Sequence, residues 1–341
     1  MSGGVDSAVA AALLKKNGFN VRGVFLRLAD TLNFKEGEED AGKIAQILEI
    51  PFSVFDFRKE FKKKVIEYFL EELQKGVTPN PCVVCNEEIK LGLLLEKVLN
   101  SDSFYLATGH YVQRSVISDK GKETYKLLMA KDKDKDQSYF LWQLNQNKLR
   151  HLLFPLGNLT KPEVRGIAKK FGFFNLIRSE SKEICFVRDK LRDFLKERLK
   201  PKPGKIVNTE GSVVGQHEGL YFYTIGQRKG IEIGGVQKPF YVSSKDLENN
   251  VLIVTQNEKD LYKEKLEIRN VNWILGKVPE LPLEMEVKIR YRHKPVSAVI
   301  TNGTELGSYN LDFKEEQKAV TPGQSAVFYK GEELLGGGII R

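Results

Sequence analysis

The sequence of 341 residues is poor in cysteine and contains no long apolar run. Three cysteines cannot all pair within one chain, which argues against a disulfide framework and favours a reducing compartment. No apolar stretch approaches the ~20 residues needed to cross a bilayer, and no basic segment followed by an apolar one marks a secretory signal. We therefore expect a cytoplasmic protein without a membrane segment.

The chain carries an excess of positive charge. It has 54 lysines and arginines against 45 aspartates and glutamates, a formal net charge of +9 and a pI of about 9.1. This balance favours an anionic partner, with nucleic acid as the first candidate, although many basic proteins bind no nucleic acid. The length and a hydrophobic content of 41% fit two or three globular domains.

The first half of the chain alternates between helical and strand periodicity. Helices are predicted over 7–16, 38–49, 59–75 and 87–99, and strands over 19–28, 51–57 and 103–112. This alternation is typical of a parallel sheet with helices on both faces, and a capping-box pattern at Thr160 and Glu163 predicts a further helix to Lys170. After residue 200, where PKPG interrupts the pattern, short β-rich runs separated by turn residues predict one or two small β domains, such as barrels.

A glycine-rich segment, SGGVDS at residues 2–7, stands directly before the first predicted helix. Its two glycines let the backbone approach a bulky anion, its serines add hydroxyl donors, and the helix N-terminus supplies free N–H groups. No lysine follows in the P-loop position, and the hexapeptide looks like the pyrophosphate loop of enzymes that split ATP into AMP and pyrophosphate. The strand that should precede this loop is missing because the chain begins at Met1, so we expect either a start codon assigned late or a truncated chain.

Two of the three cysteines, Cys82 and Cys85, form a C-x-x-C pair in NPCVVCN, which the flanking helical patterns predict to lie on a loop. A structural zinc site needs four ligands, and the four histidines are too scattered to complete one. Cys185 is either a buried small hydrophobe or a reactive thiol whose pKa Lys182 and Arg188 lower. ATP-splitting chemistry together with two separated thiols suggests sulfur transfer, in which a persulfide displaces AMP from an activated oxygen and a second thiol resolves it.

Motifs along the entire chain resemble those of the bacterial tRNA-specific 2-thiouridylases. They occur in the family's order as SGGVDSAVAA, TPNPCVVCNEEIK, ATGHY, KDQSYFL, FPLG, EICFV, GLYFYTIGQRKGI, IRYRHKP and VTPGQSAVFY. The resemblance implies an α/β pyrophosphatase-loop domain with a parallel sheet over residues 1–200, a central β-rich domain over 201–262 and a C-terminal, tRNA-contacting β-barrel over 263–341. It implies an enzyme, a tRNA-uridine 2-sulfurtransferase, that uses ATP and Mg²⁺ to thiolate the wobble uridine at C2.

The resemblance also implies roles for individual residues, with Cys85 as the nucleophile, Cys185 as the persulfide carrier and Asp6 as a further catalytic residue. The ATP contacts would be Ser2, Gly3, Gly4, Val5, Asp6, Ser7, Leu26 and Gly109. The contacts with the target base and the rest of the tRNA would be Asn80, Pro81, Cys82, His110, Lys135, Asp136, Gln137, Arg290, Tyr291 and Gln324. The charged run KDKDKDQ at 131–137 would then end in a tRNA-facing loop instead of a merely solvated one. The implied partners are the tRNAs for Lys, Glu and Gln and a protein that donates persulfide or sulfide to a monomeric enzyme.

The sequence departs from many family members at Cys82, where they carry aspartate. Three thiolates converging on one loop, Cys82, Cys85 and Cys185, would provide ligands for a [4Fe-4S] cluster with one open iron, which would bind sulfide in place of a protein persulfide. We expect the persulfide route, with the cluster as its alternative. Two other functions remain candidates: a tRNA-modifying ligase with the same loop, which needs no paired cysteines, and a non-catalytic RNA-binding protein with a metal-bound C-x-x-C, which would release no pyrophosphate.

Overall fold

The computed structural model describes residues 1–173, 184–187, 190–231, 233–234 and 238–341. The predicted fold class, an α/β domain followed by a small β domain and a β-barrel, is confirmed. Lys182 and Arg188, to which the sequence assigned an effect on the Cys185 thiol, lie outside the described residues. No helix among the described residues is long and apolar enough to cross a membrane.

The N-terminal domain alternates short parallel strands with helices. Its helices are α1 (Val5–Lys16), α2 (Leu32–Ile47), α3 (Arg58–Phe61), α4 (Tyr68–Gln74), α5 (Pro81–Val84), α6 (Leu94–Leu99), α7 (Gln146–Leu149), α8 (Lys161–Lys170) and α9 (Leu191–Lys196). Its strands are β1 (Gly23–Arg27), β2 (Phe52–Asp56), β3 (Leu106–Ala107), β4 (Val112–Asp119), β5 (Lys122–Met129) and β6 (Leu152–Leu153). The pairs β1–β2 and β3–β6 are parallel, as the alternation of strands and helices predicts. The strand predicted over 103–112 is interrupted, because β3 ends before the ATGHY motif does and β4 starts after it.

The segment NPCVVCN lies on a helix, so its prediction as a loop is wrong. The side-chain oxygen of Asn80 accepts hydrogen bonds from the N–H groups of Cys82 at 3.1 Å and Val83 at 3.4 Å, which makes it an N-cap. Pro81 suits the first helical position because no N–H is needed there. Cys82 and Cys85 therefore stand on one helix that continues from α5 into α6.

The two long helices of this domain each contain a segment of wider π geometry. These segments are Lys62–Glu67, between α3 and α4, and Cys85–Leu93, between α5 and α6. Within the second, a Cβ added at Gly92 would lie 2.4 Å from the carbonyl oxygen of Glu87, so glycine is required for the turn to close. Such π segments are frequent at functional sites, and this one begins at Cys85.

The rest of the chain forms two β structures. The central sheet has the order β8-β7-β10-β9, from β7 (Gly204–Asn208), β8 (Val213–His217), β9 (Tyr241–Asp246) and β10 (Val251–Thr255). The barrel strands are β11 (Tyr262–Trp273), β12 (Leu283–Lys288), β13 (Val296–Asn302), β14 (Tyr309–Lys318), β15 (Ser325–Lys330) and β16 (Glu333–Ile340). Their order is β11-β14-β13-β12-β15-β16, and pairing between β11 and β16 closes the barrel.

The N-terminal domain and the barrel share one sheet and one core. The β4–β5 hairpin extends the barrel sheet, because Leu127 and Leu128 pair with the start of β16. At the same junction, Trp142 Nε1 donates to Ser325 Oγ at 3.0 Å and Tyr139 Oη donates to the Ser325 carbonyl at 2.9 Å, all within the buried core. The barrel is therefore held in a fixed orientation against the domain that carries the cysteines.

One loop of the barrel supports the backbone just ahead of the C-x-x-C helix. Gln324 Nε2 donates to the Thr78 carbonyl at 2.7 Å, and the Thr78 N–H donates to the Pro322 carbonyl at 2.9 Å. Gly323 lies between these contacts with a φ of +88°, and a Cβ there would lie 3.0 Å from the Thr78 backbone. The loop thus fixes the position from which the cysteine helix starts.

Candidate active site

The glycine-rich loop is closed by its own hydroxyl groups and leads directly into α1. Ser7 Oγ donates to the Gly4 carbonyl at 3.0 Å and accepts from the Ser2 N–H at 3.0 Å. Gly3 has a φ of +76°, and a Cβ there would lie 2.5 Å from the Gly37 carbonyl oxygen, so only glycine fits. The N-cap Gly4 offers no side chain to the first N–H groups of α1, which leaves them available for an anion.

Asp6, in the first turn of α1, accepts hydrogen bonds from two residues distant in the sequence. Tyr111 Oη donates to Oδ1 at 2.8 Å, and Lys161 Nζ donates to Oδ1 at 2.8 Å and Oδ2 at 2.9 Å. The Lys161 side chain is only 7% exposed and is the first residue of α8, which opens with the predicted capping box. The loop is therefore tied by a partly buried ion pair to the N-terminus of a second helix.

The ATGHY motif connects this loop with the cysteines. Gly109 packs against the loop so closely that a Cβ there would lie 2.8 Å from the Asp6 carbonyl carbon and the Ser7 nitrogen. Nδ1 of the neighbouring His110 forms a hydrogen bond of 2.8 Å with Thr108 Oγ1. Burial, assisted by the charge of Lys90, lowers the pKa of His110 to about 3, so the ring is neutral at physiological pH. Of the remaining predicted ATP contacts, Leu26 is half-buried on β1 and packs on the core.

The three cysteines are free thiols that differ in exposure. Cys85 is buried, whereas Cys82 and Cys185 are exposed to solvent. Desolvation raises the pKa of all three thiols. For Cys185, desolvation and the neighbouring Cys85 and Cys82 together raise the pKa to about 12. The structure thus brings the distant Cys185 near the C-x-x-C pair, as sulfur transfer between them requires.

A half-buried lysine interacts electrostatically with all three thiols. Lys90 is on the π segment that begins at Cys85, and its positive charge lowers the pKa of each of the three thiols. For Lys90 itself, burial lowers the pKa, but the interaction of the ammonium with the thiolate forms of Cys85, Cys185 and Cys82 outweighs burial, so its pKa is raised. An ammonium at this position stabilises thiolate or persulfide anions, which are the reactive forms of sulfur.

The arrangement does not fit a metal centre held by these residues. Within the part of the chain that the structure describes, no three cysteine, histidine, aspartate or glutamate side chains are grouped so that they could hold a metal ion. Cys82, Cys85 and Cys185 instead share a charge interaction with the Lys90 ammonium.

The predicted tRNA contacts at 135–137 differ in their accessibility. Asp136 is buried, and its carboxylate accepts hydrogen bonds from the Ala130 N–H at 3.0 Å and Ser138 Oγ at 2.8 Å. Gln137 accepts from the Tyr111 N–H at 3.0 Å through Oε1. Asp136 therefore holds the loop from inside and offers no surface to RNA, while Lys135 is partly exposed.

A cavity of about 590 Å³ lies where the three domains meet. The first domain contributes Thr78, the central domain contributes residues 224–227, and the barrel contributes residues 290–292 with Gln324. Within its wall, Tyr291 lies against Phe140, with ring centroids 4.5 Å apart. The predicted tRNA contacts Arg290, Tyr291 and Gln324 thus line one recess. Thr78, two residues before Asn80, lines the same recess.

The sequence did not predict the roles of Lys161 and Lys90 or the contribution of the central domain to the cavity wall. Lys161 stands in the helix-start pattern LTKPEV, and Lys90 lies five residues after Cys85, but neither spacing reveals the partner. The partners, Asp6 and the three thiols, become neighbours only in the fold. The YTIGQ segment of the central domain, to which the sequence assigned no role, lines the cavity with residues 224–227.

Three family models match three consecutive parts of the chain. A family model described as the tRNA methyl transferase HUP domain matches residues 1–189. A model described as the tRNA methyl transferase PRC-barrel domain matches residues 192–256, and one described as the aminomethyltransferase beta-barrel domain matches residues 263–340.

Full-length relatives share more than two fifths of the sequence. A protein named tRNA-specific 2-thiouridylase MnmA from Thermus thermophilus is 44% identical over 358 residues, which cover 100% of this chain and 93% of the relative. Proteins of the same name from Colwellia psychrerythraea and Idiomarina loihiensis are 43% and 42% identical over 363 and 354 residues, covering 100% of this chain and 94% of each relative.

Proposed function

The chain belongs to the tRNA-specific 2-thiouridylase family, and from this premise we propose that it uses ATP to thiolate the wobble uridine of tRNA at C2. The observation that carries the proposal is that the chain's three thiols all interact with one half-buried ammonium, that of Lys90, while the ATGHY motif beside it packs on the pyrophosphate-type loop. The ATGHY segment joins the glycine-rich loop to the thiol site. Gly109 contacts the loop, and the charge of Lys90 acts on the pKa of His110.

In the first step the uridine is activated. O2 of the base attacks the α-phosphorus of ATP, the bond from that phosphorus to the bridging oxygen breaks, and pyrophosphate leaves with the electron pair. The loop at residues 2–7 and the uncapped N-terminus of α1 hold the phosphates, with Mg²⁺ as the counter-ion that accompanies ATP. Leu26 and Gly109 complete the ATP site.

In the second step sulfur replaces the activated oxygen. A persulfide on Cys185 attacks C2, and AMP leaves with the former O2. The Cys85 thiolate then attacks the inner sulfur of Cys185, which releases 2-thiouridine and leaves a disulfide that an external dithiol reduces. The difference in exposure supports these roles, since an open Cys185 can be loaded by a donor protein while a buried Cys85 is shielded from other electrophiles.

The tRNA is proposed to enter through the recess between the domains. Unstacked RNA bases bind on aromatic side chains and are read by polar groups, and Tyr291, Arg290 and Gln324 supply both kinds of contact there. The target base would reach Asn80, Pro81 and Cys82, whose helix start is held by the barrel. The tRNAs for Lys, Glu and Gln remain the proposed substrates, and the reducing cytoplasm the proposed site of action of a monomer.

The test is a reconstituted reaction. The protein is incubated with ATP, Mg²⁺, a persulfide source and unmodified tRNA, and the digested tRNA is analysed for 2-thiouridine together with AMP and pyrophosphate. The proposal predicts all three products and their dependence on tRNA. A tRNA-modifying ligase would form AMP and pyrophosphate without 2-thiouridine and would tolerate Cys85→Ser, and a non-catalytic RNA-binding protein would form none of the three.

A further inference from the structure

Lys161 occupies a position that is electrostatically unfavourable for a cation. It is the first residue of α8, a helix of 10 residues, and a helix N-terminus carries a positive partial charge that favours anions. Its side chain is also only 7% exposed, and burial of an ammonium costs free energy unless an anion compensates it. A lysine at this place therefore requires negative charge nearby.

The anion present is the carboxylate of Asp6, at the N-terminus of α1. Because Lys161 Nζ contacts both carboxylate oxygens, at 2.8 and 2.9 Å, the first turns of α1 and α8 lie side by side. The ammonium thus lies beside the uncapped N–H groups that follow the glycine-rich loop. The Lys161 backbone is fixed as well, since its N–H donates to Asp132 Oδ2 at 2.8 Å and the capping box anchors the start of α8.

We infer that Lys161 is a catalytic residue of the adenylation step, whose ammonium turns from Asp6 to the β- and γ-phosphates of ATP and stabilises pyrophosphate as it leaves. The inference rests on the proposed function for the identity of the reaction. The bond from the α-phosphorus to the bridging oxygen breaks, and the electron pair and new negative charge remain on pyrophosphate. Once turned to the phosphates, the ammonium stabilises this charge as it develops.

A purely structural role for Lys161 makes a different prediction, and a double-mutant cycle separates the two. If Lys161 serves only to pair with Asp6, then Lys161→Met has no further effect once Asp6→Asn has already removed the carboxylate charge. If it binds phosphate, Lys161→Met weakens nucleotide binding in the Asp6→Asn background too. Lys161→Arg keeps the charge and serves as the conservative variant. Lys131→Met is the matched control, because Lys131 pairs with Glu163 at the start of the same helix but is half exposed.

The experiment measures binding of a non-hydrolysable ATP analogue and of AMP to the full chain by calorimetry, with thermal unfolding of each variant alongside. AMP lacks the β- and γ-phosphates and reports on the rest of the site. Relative to Asp6→Asn, the double variant is expected to bind the ATP analogue about 10- to 100-fold more weakly, the range of a lost charge-assisted hydrogen bond, and AMP equally well. Lys131→Met should match the parent protein, and Lys161→Arg should retain part of the affinity.

Equal affinities of Asp6→Asn and the double variant for the ATP analogue would overturn the inference. So would a loss of ATP analogue and AMP binding by the same factor in a folded double variant, which would indicate a structural role. The same protein is assayed for 2-thiouridine. If 2-thiouridine is absent but the double variant still loses affinity for the ATP analogue and not for AMP, the proposed function is refuted while Lys161 remains a phosphate ligand. Failure of the proposed function is therefore distinguishable from failure of the inference about Lys161.

Discussion

Substitution of Gly323 tests whether the barrel positions the cysteine helix. Gly323→Ala places a side chain at a φ of +88°, where an L-residue is disfavoured by about 1–2 kcal/mol. The new Cβ would also lie 3.0 Å from the Thr78 backbone, and overpacking of this kind costs about 1–3 kcal/mol. Adding the two ranges gives an expected loss of about 2–5 kcal/mol in the free energy of unfolding.

The matched control is Gly331→Ala in the same barrel. Gly331 has a φ of +59° but no atom within 4 Å of the added Cβ, so only the conformational cost of about 1–2 kcal/mol applies. Urea unfolding followed by tryptophan fluorescence measures the stability of both variants, and single-turnover formation of 2-thiouridine measures their activity. We expect Gly323→Ala to be the less stable and to lose activity, because Thr78 lies two residues before Asn80. Equal stability and equal activity of the two variants would refute the positioning role of the barrel loop.

Three further predictions concern tRNA, ATP and pH. Affinity for tRNA should fall with salt on a log–log slope of about −0.7 to −0.9 per phosphate neutralised, and a flat response in filter binding would contradict a tRNA substrate. Asp6→Ala should abolish formation of the AMP ester, measured as tRNA-dependent pyrophosphate release, yet leave tRNA affinity nearly unchanged, since the loop and the recess use different surfaces. Because the pKa of His110 is lowered from 6.5 to about 3, the unfolded chain binds a proton that the folded one does not between these values, so stability should fall as pH falls through this window. In thermal scans His110→Gln should lose less stability than the parent over this interval; an unchanged pH dependence would show that the ring titrates alike in both states.

Local signals in the sequence were sufficient for several features of the site. The Thr160 and Glu163 pattern correctly predicted the start of α8, because a capping box depends only on residues three apart. The glycine-rich loop was recognised for the same reason, since its closure involves only its own residues. The loop predicted for NPCVVCN is wrong, because the helix begins at Pro81 and not after Cys85 as the helical pattern suggests. The Asn80-Pro81 start, which resembles a turn, is in fact a cap.

Features that depend on long-range contacts could not be predicted. The pair between Asp6 and Lys161 joins residues 155 positions apart, and the hairpin of β4 and β5 enters the barrel sheet more than 200 residues ahead of its partner strand. The π segment from Cys85 to Leu93 changes which side chains face the thiols, and no helical periodicity in the sequence revealed it. The position of Lys90 among the thiols follows from that geometry.

The yield of 2-thiouridine per turnover in iron-free protein and in single cysteine variants tests the sulfur-transfer account most directly. The account predicts full activity without iron, loss of activity in Cys85→Ser and Cys185→Ser, and much of the activity retained in Cys82→Ala, with a persulfide detected on Cys185 by mass spectrometry. The contrary result is an inactive iron-free protein that regains thiolation, with a broad absorption near ~400 nm, after anaerobic reconstitution with iron and sulfide. Loss of both iron and activity in Cys82→Ala would then assign all three cysteines to a cluster.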